Sequence, residues 1–176
     1  MRIVDLTHTF DDGMPVFPGL PEPSFRAIAN VPDDGYAMTE LHIDVSGREP
    51  GPIGRAELEP WLEDVRAGDI VFMHSDNSRN WGTPAYWTGW SYPDAEAAQA
   101  LIGRGISAIG FDGPSADPVD STSYDLHRIW LSAGRMIIEN VANLDQLPHR
   151  VQVVVAPLKL RNSNGAPARI LALVPD

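Results

Sequence analysis

Thr39-Glu40-Leu41-His42-Ile43-Asp44-Val45 alternates polar and apolar side chains, a pattern that an extended strand can bury on one face. Leu41, Ile43 and Val45 share one face of such a strand. His42 and Asp44 share the other, about 7 Å apart along it. An imidazole and a carboxylate presented together can share a metal ion or act as an acid–base pair. The same spacing also suits an ordinary half-buried strand with a polar outer face. The remainder of the chain has to separate these readings.

At 176 residues the chain suits one domain spanning 1–176, with enough length to bury a core. It has no cysteine, which removes disulfides, thiolate catalysis and Cys-based zinc sites. Its net charge of −11 argues against a nucleic-acid or anionic-membrane partner. No apolar run approaches the roughly 20 residues of a membrane span, and the N-terminus shows no signal-peptide pattern. The expectation is a soluble, cytoplasmic protein.

Taken in order, Arg2–Thr7 predicts a first strand, followed by a loop in which Pro15 and Pro18 hold Phe17. Phe17 there is either a plug on the core or the wall of a pocket. Ser24–Asn30 predicts a second strand, and residues 37–45 the next. Gly47–Gly54, rich in Gly and Pro, reads as a connection. Ala56–Val65 has helical spacing in Leu58, Trp61, Leu62 and Val65, with Pro60 marking a possible later start.

Ile70–His74 is a short apolar run with the character of a buried strand. Ser75–Pro93 carries Trp81, Tyr86, Trp87, Trp90 and Tyr92 among loop residues. Such rings either cover a core edge or line a concave site. Asp94 is positioned to cap a helix at Ala95–Arg104, which Gly105 stops. Ile106–Phe111 predicts a buried strand and Ser123–Ser132 a helix whose Tyr124, His127 and Leu131 share one face. Arg135–Asn140, Val151–Leu160 and Ala168–Val174 predict three more strands. This alternation gives an α/β class with a mixed sheet.

Several stretches together carry a resemblance. Asp5-Leu6-Thr7-His8 and Gly13-Met14-Pro15-Val16-Phe17-Pro18-Gly19 are joined by Gly68-Asp69-Ile70-Val71 and Trp81-Gly82-Thr83-Pro84-Ala85-Tyr86. Gly110-Phe111-Asp112-Gly113-Pro114-Ser115-Ala116-Asp117-Pro118, Ile137–Val141 and Ala156–Leu160 follow in order. In sequence and spacing they resemble the cyclase family that includes bacterial kynurenine formamidases and isatin hydrolases. The resemblance implies a single domain with a mixed, barrel-like sheet and flanking helices. It also implies a homodimer or larger homo-oligomer with sites near subunit contacts.

Members of that family bind manganese or zinc through a His-x-Gly-Thr-His-x-Asp-x-Pro-x-His motif, a later His and a Glu twelve residues beyond it. The resemblance carries His42 onto the second His, Asp44 onto the Asp, and His127 and Glu139 onto the late pair. Large rings on stiff loops, together with the family match around Phe17, make Phe17 and either Trp81 or Trp87 candidate substrate-binding residues. The chain departs from the motif elsewhere. Met38 replaces the first His, Glu40-Leu41 replaces Gly-Thr, and Arg48 stands where the family has its proton-shuttling His. The interval before residue 56 is also shorter than in relatives, which usually have a further strand there.

Three readings stay open. In the first, His42, Asp44, His127 and Glu139 hold manganese or zinc that activates water or polarises a carbonyl. In the second, the site is metal-free: the same residues act as acid and base, and Arg48 stabilises an enolate or carboxylate. In the third, the protein is a non-catalytic relative serving as a binding or structural partner.

Overall fold

The computed structural model describes residues 1–9, 14–15, 36–158, 160 and 165–175. Phe17 and the strand expected at 24–30 lie outside the described residues. The strands are β1 Arg2–Asp5, β2 Tyr36–Asp44, β3 Gly51–Ile53, β4 Ile70–His74, β5 Ser91–Pro93, β6 Ala108–Phe111, β7 Met136–Ile138, β8 Arg150–Pro157 and β9 Ala168–Val174. The helices are α1 Arg55–Leu62, α2 Ala95–Gly103 and α3 Asp125–Ser132.

Seven strands form one sheet in the order β1-β9-β8-β2-β4-β6-β7. The β2, β4, β6 and β7 strands run parallel, and β1, β9, β8 and β2 pair antiparallel. The class is therefore the mixed α/β sheet that the strand–helix order predicts. Alternation along the strands divides the core between two faces. Leu41, Ile43, Val71, Met73, Ile109 and Phe111 pack with Leu58, Leu62, Leu101 and Trp130 of the three helices. On the other face Ile70, Phe72, Ala108, Val151 and Val153 pack with Leu6, Val141, Leu144 and Leu147.

The sheet curls into a half-barrel. Thr7, past β1 on one edge, bridges to Val141, past β7 on the other edge. Ala142 N donates to Leu6 O at 2.8 Å, and Asn143 Nδ2 donates to Asp5 O at 2.6 Å. Gly110 lets β6 approach β4: a Cβ there would lie 2.2 Å from Phe72 Cδ1.

Local chemistry explains most element ends. Asp94 caps α2 by accepting from Ala97 N at 2.8 Å. Pro60 is inside α1 rather than at its start. The connection expected at 47–54 contains β3, which pairs in parallel with β5 from the aromatic segment. Among the described residues no helix is long and apolar enough to cross a membrane.

Candidate active site

The four parallel strands bring their carboxyl ends together, the place where open α/β sheets put their chemistry. Asp44 ends β2 and His74 ends β4, and the two are register partners. Asp112 follows β6, and Glu139 follows β7. Two groups of titratable side chains stand along this edge.

The first joins β2 to β4. His42 and His74 are 9% and 5% exposed, with ring centroids 5.4 Å apart. His74 Nδ1 is 3.5 Å from Asp44 Oδ1, and its Nε2 is 3.0 Å from Asp76 Oδ1. Asp76 also pairs with Arg79 at 3.0 Å. Burial lowers the pKa of His42, and the neighbouring His74 lowers it further. Burial pushes Asp44 up, but hydrogen bonds from Ser46, with help from both imidazoles, hold it below the ordinary carboxylate range.

The second group lies beyond β6 and β7. Asp117, buried, accepts Leu126 N at 2.9 Å and His127 N at 3.0 Å, anchoring the start of α3. Its Oδ2 is also 2.6 Å from His127 Nδ1. The far nitrogen of that ring, Nε2, is 3.5 Å from Glu139 Oε1. Ala116 N donates to the same Glu139 oxygen at 3.3 Å. The Glu139 carboxylate, and then Asp117, raise the pKa of His127 to about 9 against the opposing effect of burial. The imidazole is thus a cation at neutral pH, held between two acids.

Much of the intervening polar structure is scaffold. The Asp112 carboxyl, pushed up by burial, accepts from Ser75 N, Ser75 Oγ and Asn77 N and so fixes the turn after β4. Tyr86 is buried and donates to Asn140 Oδ1 at 2.6 Å. Trp90 is buried and donates to Ser115 O at 2.8 Å. Two of the rings in the aromatic segment therefore belong to the core edge.

Trp81 is half-buried and stacks on His8, with centroids 3.9 Å apart. Trp87 is half-buried and meets Tyr86 edge-on at 5.6 Å. Arg48 donates to Gly51 O, Pro52 O and Ser91 Oγ and pairs with Glu57 at 3.2 Å. Its guanidinium braces β3 against β5. Met38 packs against the sheet-face core with Val153 opposite it on β8.

Strand spacing led to His42 and Asp44, and the family resemblance to His127 and Glu139, but neither led to His74, Asp76 or Asp117. A His closing a buried parallel strand is a usable signal for His74. Asp117, ten residues before His127, had no periodic relation to it, and only the loop's return onto α3 pairs them.

Comparison with known proteins sets this geometry in context. The Cyclase family model matches residues 22–118, more than half of the chain. A kynurenine formamidase of Salinibacter ruber is 34% identical over 153 residues, covering 86% of this chain and 70% of that protein. The chain belongs to the Cyclase family. Isatin hydrolase A from Ralstonia solanacearum shares the fold of this cyclase-family protein, with a TM-score of 0.80 at 23% identity over 99% of this chain and 92% of that one. A solved structure described as a potential metal-dependent hydrolase with cyclase activity also superposes with a TM-score of 0.80, at 22% identity, over 97% of this chain and 96% of that one.

The family resemblance implies a metal, and the donor types of His42, Asp44, His127 and Glu139 suit manganese or zinc. Their arrangement in this cyclase-family protein does not suit one shared ion. Among the described residues no group of three or more His, Asp and Glu side chains closes around a metal position. His42 and Asp44 associate with His74, whereas His127 and Glu139 associate with Asp117. The expected foursome stands as two separate pairs.

Proposed function

We propose that this protein is a small-molecule hydrolase or cyclase acting on an amide, a lactone or a cyclisable carbonyl compound. The Asp117–His127–Glu139 array is the observation that carries this reading. Asp117 fixes the imidazole through Nδ1 and leaves Nε2 facing Glu139. Glu139 is an acceptor suited to taking a proton from an attacking water. The water oxygen bonds to the substrate carbonyl carbon, and the developing oxyanion accepts a hydrogen bond from cationic His127 Nε2–H. That proton then passes to the departing amine or alkoxide as the C–N or C–O bond breaks. His42 and Asp44, on β2 with β4 between it and β6, are candidates for a further polar wall of the site, with Trp81 and Trp87 as candidate apolar walls.

Manganese or zinc would supply Lewis-acid polarisation of the carbonyl in this chemistry. The solved relative described as a metal-dependent hydrolase and the donor chemistry support it, and the separation of the two pairs weighs against a single shared ion. That separation also favours a second reading, a non-catalytic binding protein.

One experiment decides between turnover and binding. The protein is assayed against isatin and an aryl formamide, suggested by the names of its relatives, and against a lactone as a further ester-type carbonyl substrate. Glu139→Gln keeps the side-chain shape but removes the base, so turnover should fall at least a hundredfold with an unchanged circular dichroism spectrum. Wild-type-like turnover in the variant overturns the assignment. Binding of these compounds without any turnover favours the binding protein.

We also propose a homo-oligomer. Support comes from apolar side chains left exposed at the sheet edges, Ile3 on β1 and Met136 on β7, and from Leu131 on α3, at 61%, 52% and 57% exposure. Light scattering should return a multiple of 19.2 kDa; the single-chain mass at micromolar concentration would refute it.

A further inference from the structure

We infer that Tyr124 is a substrate-contacting residue: its ring and that of His127 form a corner that holds a flat, ring-bearing group of the substrate beside Glu139. The inference rests on the proposed site at His127 and Glu139 and deepens it by naming a residue that selects the substrate there.

Backbone geometry singles this residue out. Among the described residues four non-glycines sit at positive φ. Asp76, Asn140 and Asn143 are of types that tolerate this region, whereas Tyr124, at φ 51° and ψ 46°, is bulky and does not favour it. Such a conformation persists only where the surroundings impose it, and it gathers at functional sites. Here the backbone is fixed on both sides. Tyr124 N donates to Ser121 Oγ at 3.2 Å, and Arg128 N donates to Tyr124 O at 3.1 Å.

The side chain gives the fold little in return. Tyr124 occupies the cap position of α3 without capping it, and Asp117 accepts from Leu126 N and His127 N instead. A residue needed only to turn the chain would be glycine or asparagine. The ring lies outside the core, at 49% exposure. It meets the His127 ring with centroids 6.1 Å apart and planes at 88°. Two rings at a right angle form an L-shaped corner. A flat group entering it can lie against the face of one and meet the edge of the other, the arrangements that aromatic pairs prefer. His127 Nε2 faces Glu139 Oε1 at 3.5 Å, so a group seated against the imidazole is next to the acid–base pair.

The test compares formanilide with N-formylcyclohexylamine, an aryl and an alkyl formamide of similar size. Tyr124→Gly removes the ring and suits the backbone, so its urea midpoint should equal or exceed that of wild type. Its KM for formanilide should rise at least tenfold with kcat changed less than threefold, and the alkyl compound should lose far less. Tyr124→Phe, which keeps the ring, should restore the formanilide KM. Tyr124→Asn, also suited to positive φ, repeats the test if the glycine variant does not fold. Where formanilide binds without turnover, Kd by isothermal titration carries the same contrast. Glu139→Gln is read in turnover and Tyr124 in KM or Kd, so the two readings can fail separately. The inference is overturned by an unchanged formanilide KM or Kd in Tyr124→Gly, by an equal rise for both compounds, by failure of Tyr124→Phe to restore it, or by a wild type that does not bind formanilide. It is equally overturned if light scattering shows that Tyr124→Gly changes the assembly mass together with KM, which would make the ring a subunit contact.

Discussion

Glu40→Met is expected to stabilise the protein at pH 7 by about 3 kcal/mol through proton linkage, and this pH-dependent part of the gain fades below about pH 4.5. Glu40 is 0% exposed, between Ile70 of β4 and Val151 of β8. Neither carboxyl oxygen has a hydrogen-bond partner. Burial drives its pKa to about 9; the Arg150 cation pulls the other way, and Asp69 adds to the rise. Arg150 is already committed to both oxygens of Asp69, at 3.0 and 2.9 Å, so little of its charge is left for Glu40.

The sign follows from linkage. The unfolded carboxyl, with its ordinary value of 4.5, is ionised at pH 7, and folding must take up a proton. Wild-type stability from this residue is therefore intact below pH 4.5 and declines as pH rises through about 9. Met fills a similar volume and carries no proton to bind. Urea denaturation of both proteins at pH 4, 7 and 9 measures the difference. A variant less stable than wild type at pH 7, or a gain that ignores pH, would sink this account of Glu40.

His127 should give a second pH-dependent contribution of up to about 3 kcal/mol. Its pKa rises from 6.5 to about 9 on folding, because Glu139 and Asp117 favour the charged ring. The folded state binds the proton more tightly, so this stabilisation is fully present below pH 6.5 and is lost as pH climbs through 9. The side chain is 29% exposed, which keeps most of the effect from solvent screening. Glu40 loses stability over an overlapping range, so the comparison belongs in the Glu40→Met background. There, adding His127→Gln should flatten the decline between pH 6.5 and 9. A decline of unchanged slope in the double variant would mean that the two carboxylates do not hold a cation.

The sequence carried the elements whose cause is local. Alternation gave β2 and with it the shared face of His42 and Asp44. Gly and Asp at the boundaries of α2, and the apolar runs of β4 and β9, were readable for the same reason. The β3–β5 pair was not, because Gly47–Gly54 and Ser91–Pro93 have turn composition and become strands only by pairing with each other. The aromatic segment was readable as either wall or cover; hydrogen bonds to Asn140 and Ser115 place Tyr86 and Trp90 on the core edge.

The sequence by itself determined the strand–helix order, the family resemblance and the chemical types available at the site, since all three reside in neighbouring residues and spacing. Only the tertiary structure decided which of those groups meet. Pairing of β2 with β4 sets Asp44 beside His74, and the loop after β6 returns Asp117 onto His127. Contacts between residues 30 apart (44 to 74) depend on strand register and loop path, which no local pattern encodes. For that reason the four residues that the family resemblance grouped as one site fall into two groups of contacts in the fold.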